Sequence, residues 1–148
     1  MGETQMLTVA HVLQEKVEHT TYTISPDATV LEAISLMADK GIGALIVVEE
    51  ENVIGILSER DYARKVALME RSSYDTCVSD IMTHKVITVD PKNTVDECLK
   101  LMTNRHLRHL PVLENGKLIG LVSIGDLVKG IIQEQQNLIE QLQNYISN

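Results

Sequence analysis

Gly55-Ile56-Leu57-Ser58-Glu59-Arg60-Asp61 recurs further along the chain as Gly120-Leu121-Val122-Ser123-Ile124-Gly125-Asp126. In both, an aliphatic run of strand character ends in Ser, and Asp follows three residues later. Working outward, the likeness continues without a gap. Thr23-Ile24-Ser25-Pro26 falls on Thr88-Val89-Asp90-Pro91, Thr29-Val30 on Thr94-Val95, and Leu36-Met37 on Leu101-Met102. Most other positions exchange one aliphatic residue for another. Gapless register over such a length marks an internal duplication.

Each copy has the same internal order. A short extended piece ends at Pro26 or Pro91. Asp27 or Asn93, and then Thr29 or Thr94, supply N-cap chemistry for a helix. That helix carries Val30, Ala33, Ile34 and Met37 on one stripe, and Val95, Cys98, Leu99 and Met102 on its counterpart. Strands are expected over Ala44 to Val48 and Leu110 to Leu113. A polar turn then leads to Val53 to Leu57 or Leu118 to Val122, with Asn115-Gly116 a hairpin signal. A second helix starts near Ser58 and Ser123. The copies differ at their openings. Val9 to Leu13 resembles Val78 to Met82, but the first copy then carries an insertion over Lys16 to Tyr22, either a longer loop or a cover for a ligand.

One such unit of about 60 residues buries little core alone. Two units related by a pseudo-twofold axis bury their sheet faces together, and they leave on the axis a cleft lined twice by the same residues. The fold class is therefore α/β (α+β), each repeat a small three-stranded sheet with two helices.

The chain is 44% apolar with no Trp, no Phe and four Tyr, so the core is aliphatic. Its net charge of −8 argues against a nucleic-acid partner, which calls for a basic excess, and leaves room for a small anion bound by a local field. Cys77 and Cys98 are not a disulfide framework and suit a reducing compartment. Neither a signal-peptide stretch nor a membrane-spanning run is found, so a cytoplasmic location is expected.

Ser-x-x-Asp admits two readings. It is a helix cap, with Ser at the N-cap and Asp complementing the dipole. It is equally a site, because a carboxylate at a helix start can accept both hydroxyls of a ribose while Ser and free N–H groups bind phosphate. Arg105-His106-Leu107-Arg108-His109 concentrates cations where the first copy has Lys40-Gly41-Ile42-Gly43-Ala44. The cations form either a phosphate clamp or a solvated edge. The small residues leave room for a flat base. Arg60, Arg64 and Lys65 follow Asp61, and Arg60 and Arg64 share a helix face.

On Val78-x-Asp80-Ile81-Met82-Thr83, His109-Leu110-Pro111-Val112 and both Gly-x-x-Ser-x-x-Asp segments, nearly the whole chain resembles a CBS-domain pair, or Bateman module. It is most similar to small standalone bacterial pairs and to plant organellar ones. The resemblance implies repeats at 8–68 and 75–132 with a helical extension at 133–148. It implies an adenine-nucleotide ligand (AMP, ADP, ATP or NAD) or S-adenosylmethionine in the cleft. It places ribose on Asp126 with Ser123, and on Asp61 with Ser58. Phosphate falls to Arg108 and His109. The base of the Asp126 site would meet Ala28, Ala33 and Leu57, and that of the Asp61 site Asn93, Cys98 and Val122. The departure is at Gly43 and Ala44, which replace the basic pair, so the Asp61 site either binds weakly, binds a neutral part of a dinucleotide, or draws cations from Arg60 or Lys16.

The last helix continues an apolar stripe through Val128, Ile131, Ile132, Leu138, Ile139, Leu142, Tyr145 and Ile146. Either it packs on its own domain or it pairs across a homodimer. Its polar face lacks Lys and Arg, which argues against a membrane surface. No Walker loop, dinucleotide fingerprint, metal set or Ser/His/Asp set is present in sequence, so no enzyme is expected. The expected function is a non-catalytic module that signals nucleotide binding to an unidentified partner. The alternative is a ligand-free structural dimerisation module.

Overall fold

In the computed structural model the described residues are 6–16 and 20–147, the side chain of Ser147 excepted. Of the inserted stretch Lys16 to Tyr22, residues 17–19 therefore lie outside them. The elements run α1 (Val9–Glu15), β1 (Thr23–Ile24), α2 (Val30–Lys40), β2 (Ala44–Glu49), β3 (Asn52–Ser58), α3 (Glu59–Tyr62), α4 (Val78–Ile81), α5 (Val95–Arg105), β4 (His109–Glu114), β5 (Lys117–Ser123) and α6 (Ile124–Ser147). The helix α3 runs on into a π-helical turn over Ala63–Ala67. No helix among the described residues is long and apolar enough to cross a membrane.

Two compact units form, and they cut across the sequence repeats. One holds Thr21–Ile87; the other joins Met1–Thr20 to Thr88–Asn148. Each sheet thus takes its opening helix from the other repeat. In the Thr21–Ile87 unit, Val78 and Ser79 at the start of α4 donate their N–H groups to Ala28 O and Pro26 O. In the other unit, Val9 and Ala10 of α1 donate to Asn93 O and Pro91 O, all near 2.9 Å. These first-turn N–H groups have no partner inside their own helix, and the turn ahead of the neighbouring helix supplies one.

The same exchange explains the repeated glycines. A Cβ on Gly55 would lie 2.5 Å from Met82 Sδ, and one on Gly120 would lie 2.8 Å from Leu13 Cδ2. Leu13 and Met82 are the matching last residues of the two opening segments. Each presses its side chain onto bare backbone of the sheet, an approach that needs glycine.

Helix starts are fixed by reciprocal capping bonds. Thr29 and Thr94 are the N-caps of α2 and α5, each accepting from the N3 amide while Glu32 or Glu97 accepts from the cap amide. Bonds from Thr94 N–H, then from the Asn93 and Thr94 side chains, hold the Glu97 carboxyl below its ordinary pKa. Asp27 and Asn93, expected to share the capping, stand outside the helices. Asn93 Oδ1 instead accepts from Asp90 N at 2.7 Å, closing the preceding turn.

The Thr21–Ile87 sheet has the order β1-β2-β3, with β1 parallel to β2 and β2 antiparallel to β3. The other sheet corrects the sequence expectation: among the described residues it has two strands, not three. Thr23↔Ile46 and Ile24↔Val47 pair in one unit, whereas among the described residues of the other the matching pairing is the single bridge Val89↔Val112. Pro111 stands where Ile46 would donate the further ladder bond, and proline has no N–H to give. Packed against the three-stranded sheet is a core of Val30, Ala33, Met37, Leu45, Val47, Leu57, Val66, Val78, Ile81 and Met82.

Candidate functional site

The β3–α3 and β5–α6 junctions have the same geometry. Ser58 N donates to Asp61 Oδ2 at 2.9 Å, and Asp61 N donates to Ser58 Oγ at 3.2 Å. Ser123 N donates to Asp126 Oδ2 at 2.9 Å, and Asp126 N donates to Ser123 Oγ at 3.1 Å. Both Ser-x-x-Asp segments are therefore caps in fact. Capping uses one carboxylate oxygen of each pair and holds the side chain in one rotamer at the positive end of a helix.

Each carboxylate also carries a lysine, and the two lysines come from different places. Lys16 Nζ lies 3.0 Å from Asp126 Oδ2 and donates to Leu121 O at 2.8 Å. Lys65 Nζ lies 3.3 Å from Asp61 Oδ1 and donates to Ile81 O at 2.9 Å. The expectation that Lys16 serves Asp61 is thus corrected. With Leu13 seated on Gly120, the chain leaving α1 delivers Lys16 to the β5 end of its own unit. Of the three cations that follow Asp61 in the sequence, Lys65 is the one that pairs with it, at i,i+4 spacing. Arg60, the other proposed source, is exposed on the first turn of α3.

The basic pair reaches the same junction through the backbone. Ile124 N, the first amide of α6, donates to Arg108 O at 3.1 Å; Glu59 N donates to Gly43 O at 3.0 Å in the other unit. His109 pairs with Ser123 in the β4–β5 ladder, as Ala44 pairs with Ser58 in β2–β3. Arg108 is exposed and His109 half-buried beside the Ser123–Asp126 cap. Of the wider basic cluster, Arg105 ends α5 and His106 is its left-handed C-cap, at φ 56°, where α2 uses Gly41 at φ 65°. Gly41 thus has a structural role as a left-handed C-cap, a conformation that glycine adopts most easily and that His106 also takes.

The expected base-lining residues fare differently. Ala33, Leu57, Cys98 and Val122 have no accessible surface, and Ala44 is buried at 2%. In this structure they pack within the core. Burial, and then the nearby Glu97 charge, push the Cys98 thiol up to about 11. Ala28 and Asn93 remain half-buried, with carbonyls engaged by the opening helices.

Asp126 Oδ1 takes no protein hydrogen bond among the described residues. The β5–α6 junction thus presents a fixed carboxylate oxygen, a serine and a lysine at one helix start, with the carbonyl of Arg108 bonded to its first amide. That set can accept hydroxyl protons and hold an anion.

Comparison with known proteins places this arrangement. The sequence profile of the CBS domain matches residues 9–68 and 78–133. The mitochondrial CBS domain-containing protein CBSX3 of Arabidopsis thaliana is 42% identical over 125 residues, 81% of this chain and 61% of that protein. This chain therefore spans about three fifths of that relative's length. A solved structure, a signal-transduction protein with CBS domains from Burkholderia ambifaria MC40-6, is 56% identical with a TM-score of 0.83, covering 86% of this chain and 96% of that one. A CBS domain pair solved in complex with 5′-methylthioadenosine and S-adenosyl-L-methionine shares the fold at a TM-score of 0.76 and 21% identity, over 87% of this chain and 98% of that one.

Proposed function

The chain belongs to the CBS-domain family, with two copies of the domain in tandem, and from that premise we propose that it is a non-catalytic regulatory module that binds an adenine nucleotide at its capped helix starts. AMP, ADP, ATP and NAD all present the ribose diol and phosphate that these groups suit. The observation that carries the reading is the β5–α6 junction. Asp126 offers Oδ1 to two ribose hydroxyls, and Arg108, whose carbonyl accepts from the first amide of the same helix, is the residue that would turn its guanidinium to phosphate. Lys16 offsets the carboxylate charge, so that a phosphate approaches a helix start that is not net negative.

The Asp61 junction repeats the carboxylate and lysine but has Gly43 and Ala44 in place of the basic pair. It is the weaker phosphate site. Binding at either junction pulls on an element that the other repeat's opening helix helps to hold. A partner protein that prefers one liganded state would read this by linkage.

A second reading has its own support. Both carboxylates are already ion-paired, which a purely structural module that binds no ligand would also show. Calorimetric titration of the chain with AMP, ATP, NAD, S-adenosylmethionine and adenosine separates the two. Saturable heat with at least one adenylate, tighter for AMP than for adenosine, supports the sensor. No heat and no thermal stabilisation with any of the five leaves the structural module.

A further inference from the structure

Lys16 is built into the β5–α6 junction in a way that Lys65 is not built into the other. Its backbone is held first. Lys16 is the C-cap of α1 and its N–H donates to Leu13 O at 3.3 Å. Leu13 packs on Gly120, and at the far end of the helix Val9 and Ala10 donate to Asn93 O and Pro91 O. Both ends of α1 are docked on the same unit, and the lysine follows from them. Lys65 instead stands on the helix of its own carboxylate, with a side chain 45% exposed against 27% for Lys16.

The ammonium also has structural work. The repeat matches Leu121 to Ile56, whose carbonyl accepts from Thr83 N at 2.9 Å. At Leu121 the donor to that outward carbonyl is Lys16 Nζ, at 2.8 Å. A side chain thus replaces a backbone amide. Withdrawing it would break this bond and the 3.0 Å bond to Asp126 Oδ2 together. An ammonium has three protons to donate. Two are spent on these oxygens, and no acceptor for the third is present among the described residues.

The positive charge is therefore a fixture of the junction and not a counter-ion that a ligand sweeps aside. It stands beside one oxygen of the carboxylate whose other oxygen, Oδ1, is open. The 5′ substituent of an adenosyl group hangs on the same sugar as its diol. It stays within a field that a half-buried site screens less than open water does. Adenosyl ligands differ in that substituent. AMP carries an anionic phosphate, 5′-methylthioadenosine a neutral thioether, and S-adenosylmethionine a cationic sulfonium with a zwitterionic tail.

We propose that Lys16 makes this junction charge-selective, favouring adenosyl ligands with phosphate at C5′ and disfavouring those with a sulfonium there. The inference rests on the ribose reading of Asp126, and it names the residue that separates ligands sharing one ribose. Calorimetric titration of the full chain with AMP, 5′-methylthioadenosine and S-adenosylmethionine should rank them in that order, tightest first. Lys16→Gln, with its fold checked by thermal melting, should weaken AMP about tenfold and tighten S-adenosylmethionine several-fold. It should leave 5′-methylthioadenosine nearly unchanged, and Lys16→Arg should keep the parent order. A Lys16→Gln loss shared equally by all three ligands would mean that Lys16 only holds α1 in place. That result, or a parent chain that binds S-adenosylmethionine as tightly as AMP, overturns the proposal and leaves the ribose site standing. A parent chain that binds none of the three overturns both.

Discussion

Replacing Asp126 by Asn changes one charge and almost no shape, so its consequences can be worked from the β5–α6 junction. The amide oxygen of Asn still accepts the Ser123 N–H now held at 2.9 Å, and the helix cap survives. What goes is the ion pair with Lys16 at 3.0 Å. The two side chains are 27% and 20% exposed, between the surface and buried regimes, and Lys16 keeps its bond to Leu121 O. The stability loss is about 1 kcal/mol. For a ribose the loss is larger. Hydrogen bonds to a charged group are worth ~1.5–3 kcal/mol. Losing that charge at the diol should weaken AMP ~10- to 100-fold. The assay is calorimetry with AMP at neutral pH on a variant whose melting curve shows it folded. A melting point lowered as expected with unchanged AMP affinity would show that Asp126 is only a cap and ion-pair partner, and the ribose assignment would fall.

Other perturbations test separate links. Arg108→Ala should weaken AMP, ADP and ATP much more than adenosine in the same titration; equal losses for all four would mean that the guanidinium does not meet phosphate. Gly55→Ala should destabilise by about 1–3 kcal/mol, because Met82 Sδ and then Thr83 O at 3.1 Å stand in the way of the methyl group. Gly120→Ala should cost less, since only the flexible tip of Leu13 must yield, and denaturant melts that ranked the two in reverse would contradict the packing described. The β2–β3 turn places Glu50 and Glu51 at φ 50° and 69°, where the β4–β5 turn has Asn115 and Gly116 at 51° and 78°. Exchanging Glu50-Glu51 for Asn-Gly should raise stability by about 1 kcal/mol or more, measured by thermal melting. Cys77 should react with a thiol reagent in the native protein and Cys98 only on unfolding. The core holds the Cys98 thiol neutral with its pKa near 11, against 9.0 ordinarily, so stability should fall as pH rises through that interval, where only the unfolded thiol ionises.

Local patterns carried most of the fold into the sequence. The Thr29 and Thr94 caps, the paired strands and the Asn115-Gly116 turn all depend on neighbours within a few residues, and each is where its pattern puts it. The likeness of Val9–Leu13 to Val78–Met82 was visible too, but not its consequence. That Leu13 lies on Gly120 and Met82 on Gly55 is a contact across the chain, with no local signature. The error over Lys16 follows from the same gap, because its place on Asp126 is decided by where α1 docks. Pro111 did announce the missing strand pairing, through an N–H it lacks. The depth of the residues assigned to the base was not legible for another reason. Ala33, Leu57, Cys98 and Val122 lie on the apolar stripes that build the core, and residue type alone does not say which apolar side chain stops short of the surface.

The central claim is that a carboxylate fixed at a helix start takes the ribose of an adenylate. Amide spectra of the isotope-labelled chain during titration with AMP test it most directly. The account requires saturable shifts centred on Ser123 to Asp126 and Arg108, with smaller ones at Ser58 to Asp61. Spectra that do not change, or that change only at residues remote from both junctions, would contradict it.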